Sequence, residues 1–272
     1  MRLPVSVAKC AGTKGWCVPY VLRYLAERPA KTIVEPFAGS AVVGLTLLYE
    51  GHGERLVLAE KDEDYLAFWH SALGDSSFSY HVRKWTEQVL ALPFKKQKPF
   101  VMSTLERLKD DDPGFWILLQ SRVAFNGKGK IGGYMTDRHR GGLLARWPRT
   151  MPESLDLLYS LRRKVAVLGD AFEALAATDD PNSYAFIDPT YTVTRTCPGH
   201  KLYVVAFDDH PRLMSVLASW RGRWQLTYND CKATPRLVAG LPATIESVPM
   251  LSGCGNGGSR RKRELIVSKR ET

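Results

Sequence analysis

Ala185-Phe186-Ile187-Asp188-Pro189-Thr190-Tyr191 is an apolar run that stops abruptly at a carboxylate, a proline and an aromatic ring. Bounded by Asn182-Ser183 in front and Asp188-Pro189 behind, it has the length and composition of a buried strand in a parallel sheet. Ligands of α/β proteins bind at the carboxyl ends of such strands. Pro189 holds Asp188 extended and cannot continue a ladder, so the strand is expected to deliver a carboxylate at its tip.

Working outward, the same pattern recurs. Leu155 to Arg162 reads as a helix and Lys164-Val165-Ala166-Val167-Leu168 as a strand, with Gly169-Asp170-Ala171-Phe172 at its carboxyl end. A carboxylate beside an aromatic ring offers what an adenine ring needs, an acceptor for its amine and a face to stack on. Thr32-Ile33-Val34-Glu35 is a further strand, running into Pro36-Phe37-Ala38-Gly39-Ser40-Ala41 and then a helix from Val42 to Tyr49. Strand, glycine turn and helix form the dinucleotide-type unit, in which Gly39 lacks the Cβ that would block a ligand from the helix N-terminus. The next strand, Arg55 to Ala59, ends in Glu60, 21 positions after Gly39. That spacing suits an acidic side chain accepting hydrogen bonds from ribose hydroxyls. Before all of these, Val18, Val21, Leu22 and Leu25 recur at helical spacing, with Pro19 in the first turn.

With 272 residues and 44% hydrophobic content the chain can bury a sizeable core. A net charge of +10 and a pI of about 9.4 favour a polyanionic partner, because clustered Lys and Arg release counterions from phosphates. The five cysteines lack the paired short spacing of a zinc site or a secreted scaffold, and reduced thiols in a cytoplasm are the expected state. Leu3 to Ala8 is too short and interrupted for a signal core or a membrane span, so neither export nor membrane insertion is expected.

Residues 62–159 differ in character, with aromatics, charges and short helical patterns such as Val82 to Leu92 and Phe100 to Leu108. They read as an inserted, mainly helical domain. Within it, Ser121-Arg122-Val123-Ala124-Phe125-Asn126-Gly127-Lys128-Gly129-Lys130 is followed by Arg138-His139-Arg140 and Arg146-Trp147. Glycines interleaved with Lys and Arg suit a loop that tracks a phosphate backbone, or one that is simply solvated.

Asp188-Pro189-Thr190-Tyr191 resembles the Asp-Pro-Pro-Tyr signature of amino-methyltransferases, with Thr190 in place of the second proline. Glu35-Pro36-Phe37-Ala38-Gly39-Ser40 and Leu58-Ala59-Glu60 are similar to the cofactor motifs of the Dam-type (D12 class) N6-adenine DNA methyltransferases. Lys9-Cys10-Ala11-Gly12-Thr13-Lys14 matches the family's Lys-x-x-Gly-x-Lys segment, and Ala41 stands where many members have a second glycine. Arg122 to Lys130 resembles the family's DNA-touching hairpin, and residues 253–267 its closing hairpin with a basic run at Arg260 and Arg261. The likeness covers nearly the whole chain in the right order.

The resemblance implies a Rossmann-like S-adenosylmethionine-dependent methyltransferase sheet in residues 1–61 and 160–272, with a target-recognition domain at 62–159. It places S-adenosylmethionine against Lys14, Glu35, Phe37, Gly39, Ser40, Glu60, Asp170 and Phe172. It places double-stranded DNA against Lys9, Arg122, Asn126, Lys128, Lys130, Arg138, Arg260 and Arg261. Asp188 and the carbonyl of Pro189 would accept the two protons of an adenine amine, while Tyr191 would stack on the flipped base. The sulfonium brings its own activated methyl, so no metal is required. An RNA adenine or N4-cytosine methyltransferase, or a binding module of the same fold that transfers nothing, are the competing readings.

Overall fold

The computed structural model describes residues 7–10, 12–26, 28–124, 134, 143–191, 205–252 and 260–270. The chain divides into two compact units, residues 1–13 with 62–167, and residues 14–61 with 168–272. The expected boundaries differ at two places. The N-terminal stretch belongs with the helical unit, where Arg122 holds Val7 and Tyr65 donates to the Lys9 carbonyl at 2.7 Å. The second crossing falls inside a strand, between Val167 and Leu168.

The helical unit contains α3 (Glu63–Gly74), α4 (Phe78–Ala91), α5 (Phe94–Asp111), α6 (Pro113–Val123) and α7 (Met151–Ser160). Asp62 and Asp112 cap α3 and α6 by accepting from backbone N–H groups of Asp64 and Phe115. Rings of Phe68, Phe78, Trp85, Phe115 and Trp147 fill its interior, with Trp85 and Trp147 edge to face at 5.0 Å. The two indole N–H groups are satisfied by Thr104 and Thr86. Helix α6 comes close to α3 because Gly114 has no side chain; a Cβ there would lie 2.8 Å from that of Ser71.

The sheet unit carries α1 (Val18–Leu25), β1 (Thr32–Glu35), α2 (Val42–Tyr49), β2 (Arg55–Ala59), α8 (Ala171–Ala177), β4 (Ser183–Ile187), α9 (His210–Ser219), β5 (Arg223–Asn229), α10 (Thr234–Val238), β6 (Ala243–Ser252) and β7 (Arg260–Lys269). β3 (Val165–Leu168) spans the division. The strands run in the order β3-β2-β1-β4-β5-β7-β6. β1 pairs in parallel with β2 and β4, and β4 with β5; β7 is antiparallel to both β5 and β6. The winding direction therefore reverses between β1 and β4, which opens a crevice beyond their carboxyl ends.

Burial follows position in the sheet. Every residue of β1 and β4 is buried, whereas no residue of edge strand β3 is, and Ala166 in it is exposed. One face is sealed by Leu213, Leu217, Trp220 and Trp224, and both indoles donate to backbone carbonyls. On the other, α2 buries Val43 to Leu48 without interruption, so no polar face was there to mark its register in the sequence.

Candidate active site

Asp188 emerges from β4 where the ladder to β5 ends. Its Oδ1 accepts from the Thr227 hydroxyl at 2.6 Å and the Tyr191 hydroxyl at 2.8 Å, and lies 2.9 Å from Lys14 Nζ. Oδ1 is thus held by three side chains, while among the described residues no hydrogen bond engages Oδ2. Glu264 of β7 completes the cluster, its Oε2 lying 3.8 Å from Lys14 Nζ and 3.4 Å from the Tyr191 oxygen. The β5–β7 register opposes Glu264 to Asn229, which brings its carboxylate to the same end of the sheet.

Lys14 is 3% exposed and Glu264 5%. One ammonium thus lies between two carboxylates away from water, and Coulomb attraction there is far stronger than at a surface. Burial pushes the Tyr191 phenol well up, and the charges of Asp188 and Glu264 add to the rise, so it acts as a hydrogen-bond donor. Its ring is covered by the Lys14 ammonium at 4.8 Å from the centroid and flanked by Tyr228 at 5.7 Å. Tyr191 is therefore a buttress of Asp188 in this structure, and the expected stacking surface is not presented.

The turn after β1 is built from backbone. Gly39 and Ala41 both take positive φ, +46° and +44°, and Ala41 is the only non-glycine residue to do so among the described residues. The Gly39 N–H donates to Glu60 Oε2 at 2.8 Å, so the strand-end carboxylate does meet the glycine turn. Ser40 is buried in the same turn. Phe37 stands edge-on to Phe207 at 4.8 Å, and Phe207 lies 6.1 Å from Phe172. Asp170 caps α8, its Oδ1 accepting from the Phe172 and Glu173 N–H groups at 2.9 Å. Arg212 covers the Phe172 ring at 3.9 Å. Three half-buried rings beside the strand-end carboxylates Glu60 and Asp170 fit an adenosine: rings for its base, carboxylates for its hydroxyls and amine.

Two expected cofactor residues engage other partners in this structure. Glu35 is buried beneath α2, with its Oε1 accepting the Gly44 N–H, because the last residue of a central strand turns one way into the layer above the sheet. Burial pushes its carboxyl up to about 8 against the opposing Gly44 N–H, with the charge of Asp188 adding to the rise. Lys14 is committed to Asp188 and Glu264.

Of the expected DNA contacts, Asn126, Lys128, Lys130 and Arg138 lie outside the described residues; Arg260 and Arg261 are described as backbone of β7 only. Arg122 does not face a ligand. It is 4% exposed and donates through Nε and Nη2 to the Val7 carbonyl at 3.0 and 2.5 Å, and through Nη1 to that of Arg146 at 3.4 Å. Burial lowers it to about 10, and the guanidinium serves as a clamp on the N-terminal stretch. Lys9 is half-buried, lowered by burial and then by Arg122 and Arg146. Thr227 and Glu264 were not singled out in the sequence; only the strand registers bring them to Asp188.

Among the described residues, no helix is long and apolar enough to cross a membrane, and no group of three or more His, Cys, Asp or Glu could hold a metal ion. Parallel strands closed by the antiparallel β7 make a Rossmann-like sheet, and the family that the sequence matches makes this an S-adenosylmethionine-dependent methyltransferase. The sequence matches the model of the D12 class N6 adenine-specific DNA methyltransferases over residues 11–249, and the chain belongs to that family.

Similar solved structures include precorrin-6y C5,15-methyltransferase of Geobacter metallireducens GS-15, 11% identical, covering 97% of this chain and 94% of that one with a TM-score of 0.46. A candidate RNA methyltransferase, PH1948 of Pyrococcus horikoshii, is 10% identical over 98% and 89% of the two chains, with a TM-score of 0.41. Likenesses this distant carry no weight for substrate or mechanism. None of the curated protein sequences matches the chain.

Proposed function

We propose that this methyltransferase acts on the N6 amine of an adenine in double-stranded DNA. The observation that carries the reading is Asp188: a carboxylate at the sheet's switch point with Oδ1 fixed by Lys14, Tyr191 and Thr227. An aromatic amine is a poor nucleophile while its lone pair is delocalised into the ring. Asp188 Oδ2 accepts one of its protons and the Pro189 carbonyl the other, which favours a tetrahedral nitrogen with a localised pair. When bound, S-adenosylmethionine supplies a methyl already activated on a sulfonium.

Glu60 and Asp170 take the polar edges of the adenosine, and Phe37, Phe172 and Phe207 its ring. Lys14 and Tyr191 hold the Asp188 carboxylate at the geometry the amine requires, and Asp188 is placed to take the proton that the nitrogen sheds. Most of the rate comes from such placement of groups that would otherwise meet by diffusion. The helical unit supplies target recognition in this reading, with Asn126, Lys128, Lys130 and Arg138 toward the duplex and Lys9 near its phosphates.

The test is the identity of the product. Purified protein incubated with duplex DNA and methyl-labelled S-adenosylmethionine, then digested to nucleosides, is expected to yield N6-methyldeoxyadenosine. Label on N4 of deoxycytidine, or on RNA alone, would replace the reading with one of its competitors. Cofactor and DNA binding without label would leave a binding module.

A further inference from the structure

Thr190 stands where the family signature has its second proline, and its side chain has a partner. The Thr190 Oγ1 accepts a hydrogen bond from the backbone N–H of Phe207 at 2.6 Å, across 17 positions of sequence. A proline ring offers no such acceptor, so the contact exists because of the departure. Phe207 is the middle ring of the aromatic group. It meets Phe37, which follows β1, at 4.8 Å, Phe172, in the first turn of α8, at 6.1 Å, and His210, which opens α9, at 5.0 Å. Thr190 in turn directly follows the two residues assigned to the substrate amine, Asp188 and Pro189.

We propose that Thr190 is a positioning residue whose hydroxyl ties Phe207, and through it the aromatic wall for the adenosine of S-adenosylmethionine, to the motif that holds the acceptor amine. A second proline would stiffen the motif by locking φ, whereas the threonine fixes it by tethering it to the donor pocket. The two ways of fixing one turn differ in what they couple. With the tether, loosening the aromatic wall also loosens the Pro189 carbonyl. The proposal rests on the reading above in assigning the rings to the donor and the motif to the acceptor amine.

Two measurements test it without nucleic acid: amide hydrogen exchange of Phe207 in the cofactor-free protein, and the affinity for S-adenosylhomocysteine by calorimetry. Thr190→Val removes the acceptor at nearly constant shape, and Thr190→Ser restores it. Thr190→Val is expected to speed Phe207 exchange and weaken S-adenosylhomocysteine about fivefold, the scale of one net hydrogen bond, with Thr190→Ser close to wild type on both. In turnover, KM for the methyl donor rises by a similar factor, and kcat at saturation falls as well because the Pro189 carbonyl loses the same tether.

Thr190→Ala serves as the second acceptor-free variant if Thr190→Val does not fold. Unchanged Phe207 exchange and unchanged affinity in a folded acceptor-free variant would overturn the proposal. So would faster exchange with unchanged affinity, which would leave a hydrogen bond with no bearing on the donor pocket. Neither readout depends on the methylated base, so the tether can fail while adenine methylation stands, and the reverse.

Discussion

The turn after β1 and the tip of β4 lie on paired neighbouring strands, yet they are made of different material. In the turn, the work falls to backbone: two positive-φ positions, Gly39 and Ala41, and an amide aimed at Glu60. At the tip it falls to side chains, with Lys14, Tyr191 and Thr227 meeting Asp188 and Glu264 meeting Lys14 and Tyr191. A backbone site is specified locally and tolerates changes around it. A side-chain site with buried charge depends on every member, because removing one leaves the others uncompensated.

The largest break in that contrast comes from Lys14→Met. It leaves Asp188 and Glu264 facing each other without their shared cation, and should lower stability by about 3 kcal/mol at pH 7, the lower end for buried pairs since Asp188 retains some solvent. Urea unfolding measures the loss. An unchanged midpoint would mean that the cluster is not load-sharing at all.

Arg122→Ala extends the comparison to the helical unit. Losing three donated hydrogen bonds from a buried guanidinium should cost about 2 to 3 kcal/mol. Because the group does not face solvent, the salt dependence of duplex binding should keep its slope. A slope reduced by about one, with stability intact, would return Arg122 to the phosphates.

Glu35 sharpens the contrast through pH. Its carboxyl is raised to about 8, whereas an unfolded glutamate titrates near ~4.3. Between those values the folded chain holds a proton that the unfolded chain has released, so this group's contribution to stability falls as pH rises. Glu35→Gln keeps an acceptor for Gly44 and has no proton to lose, so it should gain on wild type between pH 5 and pH 8. Urea midpoints that track each other across that range would contradict the buried, protonated glutamic acid.

The smallest effect belongs to the backbone turn. Ala41 pays a steric penalty of roughly 1 to 2 kcal/mol for its left-handed conformation, and glycine would relieve it at some cost in unfolded-state entropy. Ala41→Gly should therefore stabilise by about 0.5 to 1 kcal/mol, read as a rise in Tm. A fall in Tm would show that the methyl packs better than the strain costs.

The same division explains what was legible in the sequence. α1, β1, α2 and β2 begin and end where periodicity and turn residues place them, since each is bounded by local signals. The reading of Gly39 with Glu60 came from spacing, and the two do meet. α5 was read from Phe100 but starts at Phe94, because Pro99 sits inside the helix rather than at its edge. Glu264 was hidden in a basic run, and only the register Asn229 to Glu264 reveals it. Arg122 looked like a phosphate contact because its partners are carbonyls as far as 115 positions away.

The most direct test of the Asp188 assignment is single-turnover methyl transfer to duplex DNA by Asp188→Asn, alongside calorimetry with S-adenosylhomocysteine. The expected result is a rate at least about 10³-fold lower, with cofactor affinity within about threefold of wild type, because the change removes the acceptor charge at the reacting amine. A variant that transfers methyl within tenfold of the wild-type rate would contradict Asp188 as the group that activates the amine.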